Sequence, residues 1–261
     1  MIGIMAVIGL LSAIAGINVF CFAVLLGRPV RLLYSLRMVS VARALNLFLF
    51  SGTGYLASGY FGRGSRVSFH QAVGSFLIIE FFSALSWLVL GVFSGAQLAF
   101  RFFPFMAALP AVLLILFFWQ KGKVMDMLRK FKESFKNIGG RAFLVLPCIG
   151  LMIFSYFGYY FFLSRIMGLG LDFYQIIKAV SVSYCLGYFS PAPSGLGFKE
   201  TGLVAAVSSM GPAVQSAVLF ALADRIIVTL FWSVLGFFTG YPVIKQELKK
   251  RFSKKTKLAR E

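Results

Sequence analysis

Charge is scarce in this chain, and acid is scarcer still. Only 13% of the 261 residues are charged, where a soluble domain carries about 25%. Eight are Asp or Glu, and there is a single histidine. The three cysteines, Cys21, Cys148 and Cys185, lie inside apolar stretches with no CxxC spacing, so they read as small buried hydrophobes and not as metal ligands or disulfides. No Ser/His/Asp set, metal-ligand spacing, Walker A or GxGxxG pattern is present, and Gly195-Leu196-Gly197 is too short for a nucleotide loop. The chain is therefore not expected to be an enzyme or to hold a cofactor. What is abundant is apolar surface. Hydrophobic residues make up 59%, phenylalanine alone fills 31 positions, and mean hydropathy is +0.87. A soluble globular protein, a disordered chain and a disulfide scaffold are excluded, leaving an integral membrane protein.

The net charge is +18. Residues 28–66 hold six basic residues and no acid, 121–141 hold seven basic and two acidic, and 245–261 hold eight basic and two acidic. Nearly all the excess thus sits in short segments between apolar runs. That is the pattern of cytoplasmic loops beside anionic lipid, and it argues against nucleic acid as a partner.

Five apolar runs are long enough to span: Ile2–Leu26, Phe69–Phe93, Leu98–Trp119, Ala142–Leu163 and Val214–Tyr241. About 20 residues at 1.5 Å each cross a hydrocarbon core of about 30 Å. The first run lacks a basic n-region and an A-x-A site, so it reads as a retained helix. Two further segments are apolar but broken. Ser35–Phe61 is interrupted by Ser51-Gly52-Thr53-Gly54, and Phe173–Gly211 by residues 191–197, Pro-Ala-Pro-Ser-Gly-Leu-Gly. Such Gly and Pro density ends a helix. Both segments are expected to be re-entrant or broken hairpins, although two full spans would preserve the same parity.

The positive-inside rule places the N-terminus outside, an uncharged turn at Ser94–Gln97 outside, and the basic blocks and C-terminal tail inside the cell membrane. The expected fold is an all-α polytopic membrane protein with about five spanning helices and two broken hairpins. Residues 1–244 would be one domain, with repeat halves 2–93 and 142–241 in inverted orientation joined by helix 98–119, and 245–261 a basic cytoplasmic tail. Broken elements at matching positions of an inverted repeat are a transporter-like pattern.

Few charges lie in the apolar runs: Glu80, Glu200, Asp224 and Arg225, with Lys199 beside the second break. An ionised group near mid-membrane costs about 3 kcal/mol or more, so such residues face a bundle interior and find partners. They form either a polar site for a lipid headgroup or an internal salt-bridge network with Arg225 paired to Glu80 or Glu200. Asp224 and Arg225 are adjacent, point about 100° apart and need not pair. Glu200 falls in the first turn of the half-helix after the break, where it either caps the helix or meets a headgroup. The Gly195 and Gly197 backbone, flanked by Pro191 and Pro193, could instead approach an anionic group. In the first hairpin, Arg43 and Asn46 share a face. Arg43 could hold a phosphate, with interfacial snorkelling the stronger reading.

Residues 190–200, SPAPSGLGFKE, resemble the P-x-P-G-G-x-G-x-x-E signature of the lysylphosphatidylglycerol synthase transmembrane-region family, a flippase-like membrane domain. Pro191, Pro193, Ser194, Gly195, Gly197 and Glu200 carry the match, with Ser194 in place of the first glycine of the pair. Asp224-Arg225 resembles the family's later arginine. Asn46-Leu47-Phe48-Leu49 followed by Gly52 and Gly54 resembles the first-half motif, with Phe50 where proline and Tyr55 where the acid is expected. No basic residue follows Glu80, where Phe81 stands. The resemblance implies movement of lipids between leaflets. In the family's best-known members this region precedes a soluble aminoacyl-transfer domain. Here the chain ends in a basic tail, so synthase activity is not expected.

The leading expectation is lipid translocation, with membrane lipid as the partner. Three acids against Arg225 and Lys199 would suit a headgroup of cationic character. The alternative is a non-transporting membrane subunit that presents lipid to a separate glycosyl- or aminoacyl-transferase, docked through 245–261. Homo-oligomerisation stays open.

Overall fold

The computed structural model describes residues 2–27, 32–48, 54–57, 67, 69–119, 121–188, 190 and 192–258, with side chains described outside 95–139, 243–244 and 246–258. Every regular element among them is helical. Six α-helices precede the last: α1 (Ile2–Leu26), α2 (Leu32–Phe48), α3 (Phe69–Trp119), α4 (Lys121–Ile166), α5 (Phe173–Tyr188) and α6 (Phe198–Ser208). The chain closes with α7 (Val214–Leu258). A helical turn at 54–57 follows α2, and a 3₁₀ turn, Pro193–Gly195, separates α5 from α6.

Four stretches are long and apolar enough to cross a membrane: Ile2–Leu26, Phe69–Ser94, Gly140–Ile166 and Val214–Pro242. They match four of the five expected runs. The fifth, Leu98–Trp119, lies where side chains are outside the described residues. Its backbone corrects one expectation: helix continues from Phe69 to Trp119, without a turn at Ser94–Gln97. Ser-Gly-Ala-Gln contains no proline, and a lone glycine costs a helix only about 1 kcal/mol. Two of the basic stretches, 121–141 and 245–258, are helical. Lys121–Ile166 is one helix and Val214–Leu258 another, the first passing Pro147 and the second Pro242. Lys, Glu, Met and Leu are good helix formers, so the backbone there continues the helices.

α1 and α4 pack antiparallel along their length. A Cβ at Gly3 would lie 3.0 Å from Ile166, one at Gly158 would lie 3.4 Å from Leu10, and Asn18 Nδ2 reaches Met152 Sδ at 3.1 Å. α5 and α6 form an antiparallel hairpin. Ser183 Oγ donates to the Lys199 carbonyl at 2.7 Å, and Gly202 lies against Leu186 and the Ser183 backbone.

Two further contacts are close. α2 packs on α7, and α5 packs on α3. Both are close because a glycine stands at each. A Cβ on Gly236 of α7 would lie 2.6 Å from Ala44 Cβ and 3.0 Å from the Ser40 carbonyl of α2. A Cβ on Gly91 of α3 would lie 2.6 Å from Cys185 Cβ and 3.2 Å from the Ser181 carbonyl of α5. Small residues four apart facing a glycine bring helices close enough for dispersion to hold them without a hydrophobic driving force.

The outer faces are apolar and exposed, as at Phe81, Leu85, Leu222, Ile226 and Phe237. The interior is aromatic. Trp87 is buried, stacks on Tyr184 at 4.5 Å, and meets Tyr156 and Phe157 edge-on.

Candidate functional site

The break after α5 is built from backbone that only particular residues adopt. Ser194 has φ 50°, Gly195 φ 74° and Gly197 φ 84°. Gly195 also packs directly on Gly187, where a Cβ would lie 2.9 Å from that residue's Cα and carbonyl oxygen. The turn closes with Gly195 N–H donating to Ala192 and Leu196 N–H to Pro193. Pro191 lies outside the described residues.

The chain then enters α6, whose first turn carries Lys199 and Glu200. Glu200 Oε2 accepts the Gly197 N–H at 2.7 Å, satisfying one free donor of the helix start. Its other oxygen lies 3.4 Å from Arg225 Nη1. Glu200 is therefore both the cap and an ion-pair partner, and Arg225 takes Glu200, not Glu80. The Arg225 guanidinium also reaches back to the break, donating to the Ser194 carbonyl at 3.3 Å with a longer contact to Pro193 at 3.5 Å. Arginine suits this position because its planar fork serves a carboxylate and carbonyls together.

Lys199, one residue earlier, points elsewhere. Its Nζ lies 3.0 Å from Asp224 Oδ2 and 4.4 Å from the Tyr184 ring centroid, with Tyr160 at 5.8 Å. Asp224 is 3% exposed. Adjacent residues of α7 thus bind adjacent residues of α6: Asp224 holds Lys199 and Arg225 holds Glu200. Asp224 and Arg225 do not pair with each other, as their directions on the helix require.

The first half is arranged around one pair. Arg43 Nη2 lies 2.7 Å from Glu80 Oε1, and the same guanidinium nitrogen donates to Asn18 Oδ1 at 2.9 Å. Tyr188 of α5 donates its hydroxyl to Glu80 Oε2 at 3.1 Å. Arg43 is turned inward and partnered, so the snorkelling expectation is corrected. A desolvated carboxylate on α3 attracts the cation more strongly than the interface does. Asn46, expected beside Arg43, braces the chain instead: its Oδ1 accepts the Gly54 N–H at 2.7 Å across the first break. Residues 49–53 of that break lie outside the described residues.

The structure therefore does not bring Glu80 into direct contact with Glu200, Asp224 and Arg225. It forms three separate pairs, each joining a hairpin helix to the candidate span that follows. Arg43 also corrects the charge count, since three cations now face three carboxylates and no acid excess remains. Asn18, Tyr184 and Tyr188 were not among the expected site residues. A signal for each was available, because Asn18 is polar within an otherwise apolar run and Tyr184 and Tyr188 share a helical face.

An apolar-surfaced helical bundle with broken helices and paired charges inside defines a multi-pass membrane protein with an internal polar site. Residues 2–236 match the family model described as Lysylphosphatidylglycerol synthase TM region, and the chain belongs to that family. No curated protein and no solved structure matches the chain.

Proposed function

We propose that this protein moves a phospholipid between the two leaflets of the cell membrane, with the headgroup passing along the three ion pairs and the acyl chains remaining in the bilayer. One observation supports the reading: charged side chains of α2 and α6 meet opposite charges of two candidate spans within an apolar bundle. Charges at this depth are expensive and mark pathways for polar cargo. Irregular backbone is tolerable at membrane depth where protein buries it or where it lines a wet cavity. α5 has 16 residues and α6 has 11. Helices of that size reach about 24 and 17 Å, short of the ~30 Å core, and so suit a re-entrant hairpin. The outer sides of the same spans, at Leu77, Phe81, Leu222 and Ile226, are exposed and apolar, and suit acyl chains.

The family's name makes phosphatidylglycerol and its lysyl ester the first lipids to test. The full chain is reconstituted into vesicles holding a fluorescent analogue of either lipid, and an impermeant reductant reports its leaflet. Faster leaflet exchange than in protein-free vesicles, slowed by Glu200→Ala, supports the reading. Equal rates for wild type and Glu200→Ala remove this site from the pathway, and no rate above protein-free vesicles removes the activity.

A further inference from the structure

We propose that Tyr184 and Tyr188 of α5 are positioning residues that join the Lys199–Asp224 pair of one half to the Arg43–Glu80 pair of the other, so that the two pairs act as one electrostatic unit. The consequence for lipid movement rests on the reading above. The two tyrosines are four apart on α5 and share one face. Tyr188 donates its hydroxyl to Glu80 Oε2 at 3.1 Å. One turn earlier, the Tyr184 oxygen accepts from Lys199 Nζ at 3.4 Å, and the same ammonium lies 4.4 Å from the Tyr184 ring centroid. Lys199 in turn holds Asp224 at 3.0 Å. One short helix therefore touches the anion of the first pair and the cation of the second. The Tyr184 ring is held in place by stacking on buried Trp87 at 4.5 Å.

Tyr156 of α4 fills the space between. Its ring lies 5.0 Å from that of Tyr184, with the two side chains within hydrogen-bond reach. Tyr156 interacts electrostatically with Arg43, Lys199 and Glu80. Arg43 acts on Tyr184 as well. Tyrosine suits these positions because its hydroxyl accepts and donates at once. Tyr184 accepts from an ammonium, which leaves its own O–H to donate, and Tyr188 donates to a carboxylate. The bonds at the two ends thus start at a cation and finish at an anion, and hydrogen bonds so aligned polarise one another at low local dielectric. Phenylalanine would keep the ring, the stacking and the face presented to Lys199, and would lose the link.

The places of these residues in the fold agree. Cys185 faces Gly91 and Ala44 faces Gly236. Tyr184 precedes the first and Arg43 precedes the second, so Tyr184 holds on α5 the place that Arg43 holds on α2. In the first half that place supplies a cation to the carboxylate of α3. In the second half it supplies a tyrosine, which cradles a cation brought by α6.

The test removes each pair as a unit in the full chain: Arg43→Met with Glu80→Leu, Lys199→Met with Asp224→Leu, and all four together. Replacing both partners leaves no buried charge unpaired. Measured by unfolding in detergent, the change in the folded-to-unfolded ratio on removing one pair should depend on the presence of the other by about fivefold or more. That dependence should disappear in Tyr184→Phe and in Tyr188→Phe. Independent pairs in the wild type overturn the link. A dependence that survives both phenylalanine variants, with midpoints merely lowered, reduces the tyrosines to packing and overturns their role. A second measurement does not need the fourfold variant to fold. In vesicles with fluorescent phosphatidylglycerol, Tyr184→Phe and Tyr188→Phe should each slow leaflet exchange about threefold or more, the worth of a hydrogen bond, and together little more than either alone. Tyr174→Phe, on the same helix but exposed beside Lys178, should leave the rate unchanged. Wild-type rates in both site variants overturn the positioning role and leave the lipid-moving function standing. No exchange in the wild type overturns that function, and the unfolding cycle then decides the link by itself.

Discussion

Gly91 and Gly236 occupy equivalent places in two close helix contacts. Gly91 lies as far into the helix starting at Phe69 as Gly236 lies into the one starting at Val214. Gly91 meets Ser181 and Cys185 of α5, and Gly236 meets Ser40 and Ala44 of α2. α5 therefore leans on α3, and α2 on α7, while the charges of α2 pair with α3 and those of α6 with α7.

A methyl group at either glycine should push these helices apart. The nearest atoms are backbone carbonyls and Cβ atoms, which cannot swing away as the end of a long side chain can. Gly91→Ala and Gly236→Ala should each destabilise the protein by about 1–3 kcal/mol, the usual cost of overpacking. Thermal unfolding in detergent measures this, and leucine at either site should be worse than alanine.

Removing one partner of Arg43–Glu80 leaves the other charge uncompensated. Glu80→Leu alone or Arg43→Met alone should cost about 3–5 kcal/mol, as broken buried pairs do. The double substitution should recover much of that loss. A double-substitution cycle by unfolding midpoint checks it, and simple additivity would show that the pair contributes nothing of its own.

Glu200 has two duties that substitutions can separate. Glu200→Gln keeps an oxygen for the Gly197 N–H but loses the charge facing Arg225. Glu200→Ala loses both. The alanine variant should be the less stable by about 1 kcal/mol, the worth of a helix cap, as read from unfolding midpoints.

At the second break the left-handed residues should respond in opposite directions. Gly195→Ala places a Cβ 2.9 Å from the Gly187 backbone at a φ of 74°, and should cost at least 1–3 kcal/mol. Ser194 already has a positive φ of 50°, a conformation about 1 kcal/mol or more unfavourable for an L side chain. Ser194→Gly should therefore be neutral or stabilising. Unfolding midpoints of the two variants should fall on opposite sides of, or one of them at, the wild-type value.

Several elements were legible in the chain itself. Long runs that are mostly apolar can only be buried in lipid or core, so the four candidate spans follow from hydropathy. Pro and Gly between 191 and 197 stop a helix by backbone chemistry alone, and Glu200 three residues past Gly197 is placed to cap the next one. The Ser94–Gln97 turn was misjudged because no residue there forbids helix.

The pairing of charges was not legible. Sequence spacing says which residues share one helix face, but Arg43 meets Glu80, and Lys199 meets Asp224, across separate helices, and spacing does not say which helices will lie together. Composition determined that this is a membrane-embedded all-α protein with a few costly interior ions, because apolar surface and scarce charge leave no other solvent for it. Tertiary structure alone decided which ion neutralises which, because a buried charge takes whichever opposite charge the packing of backbones brings within reach.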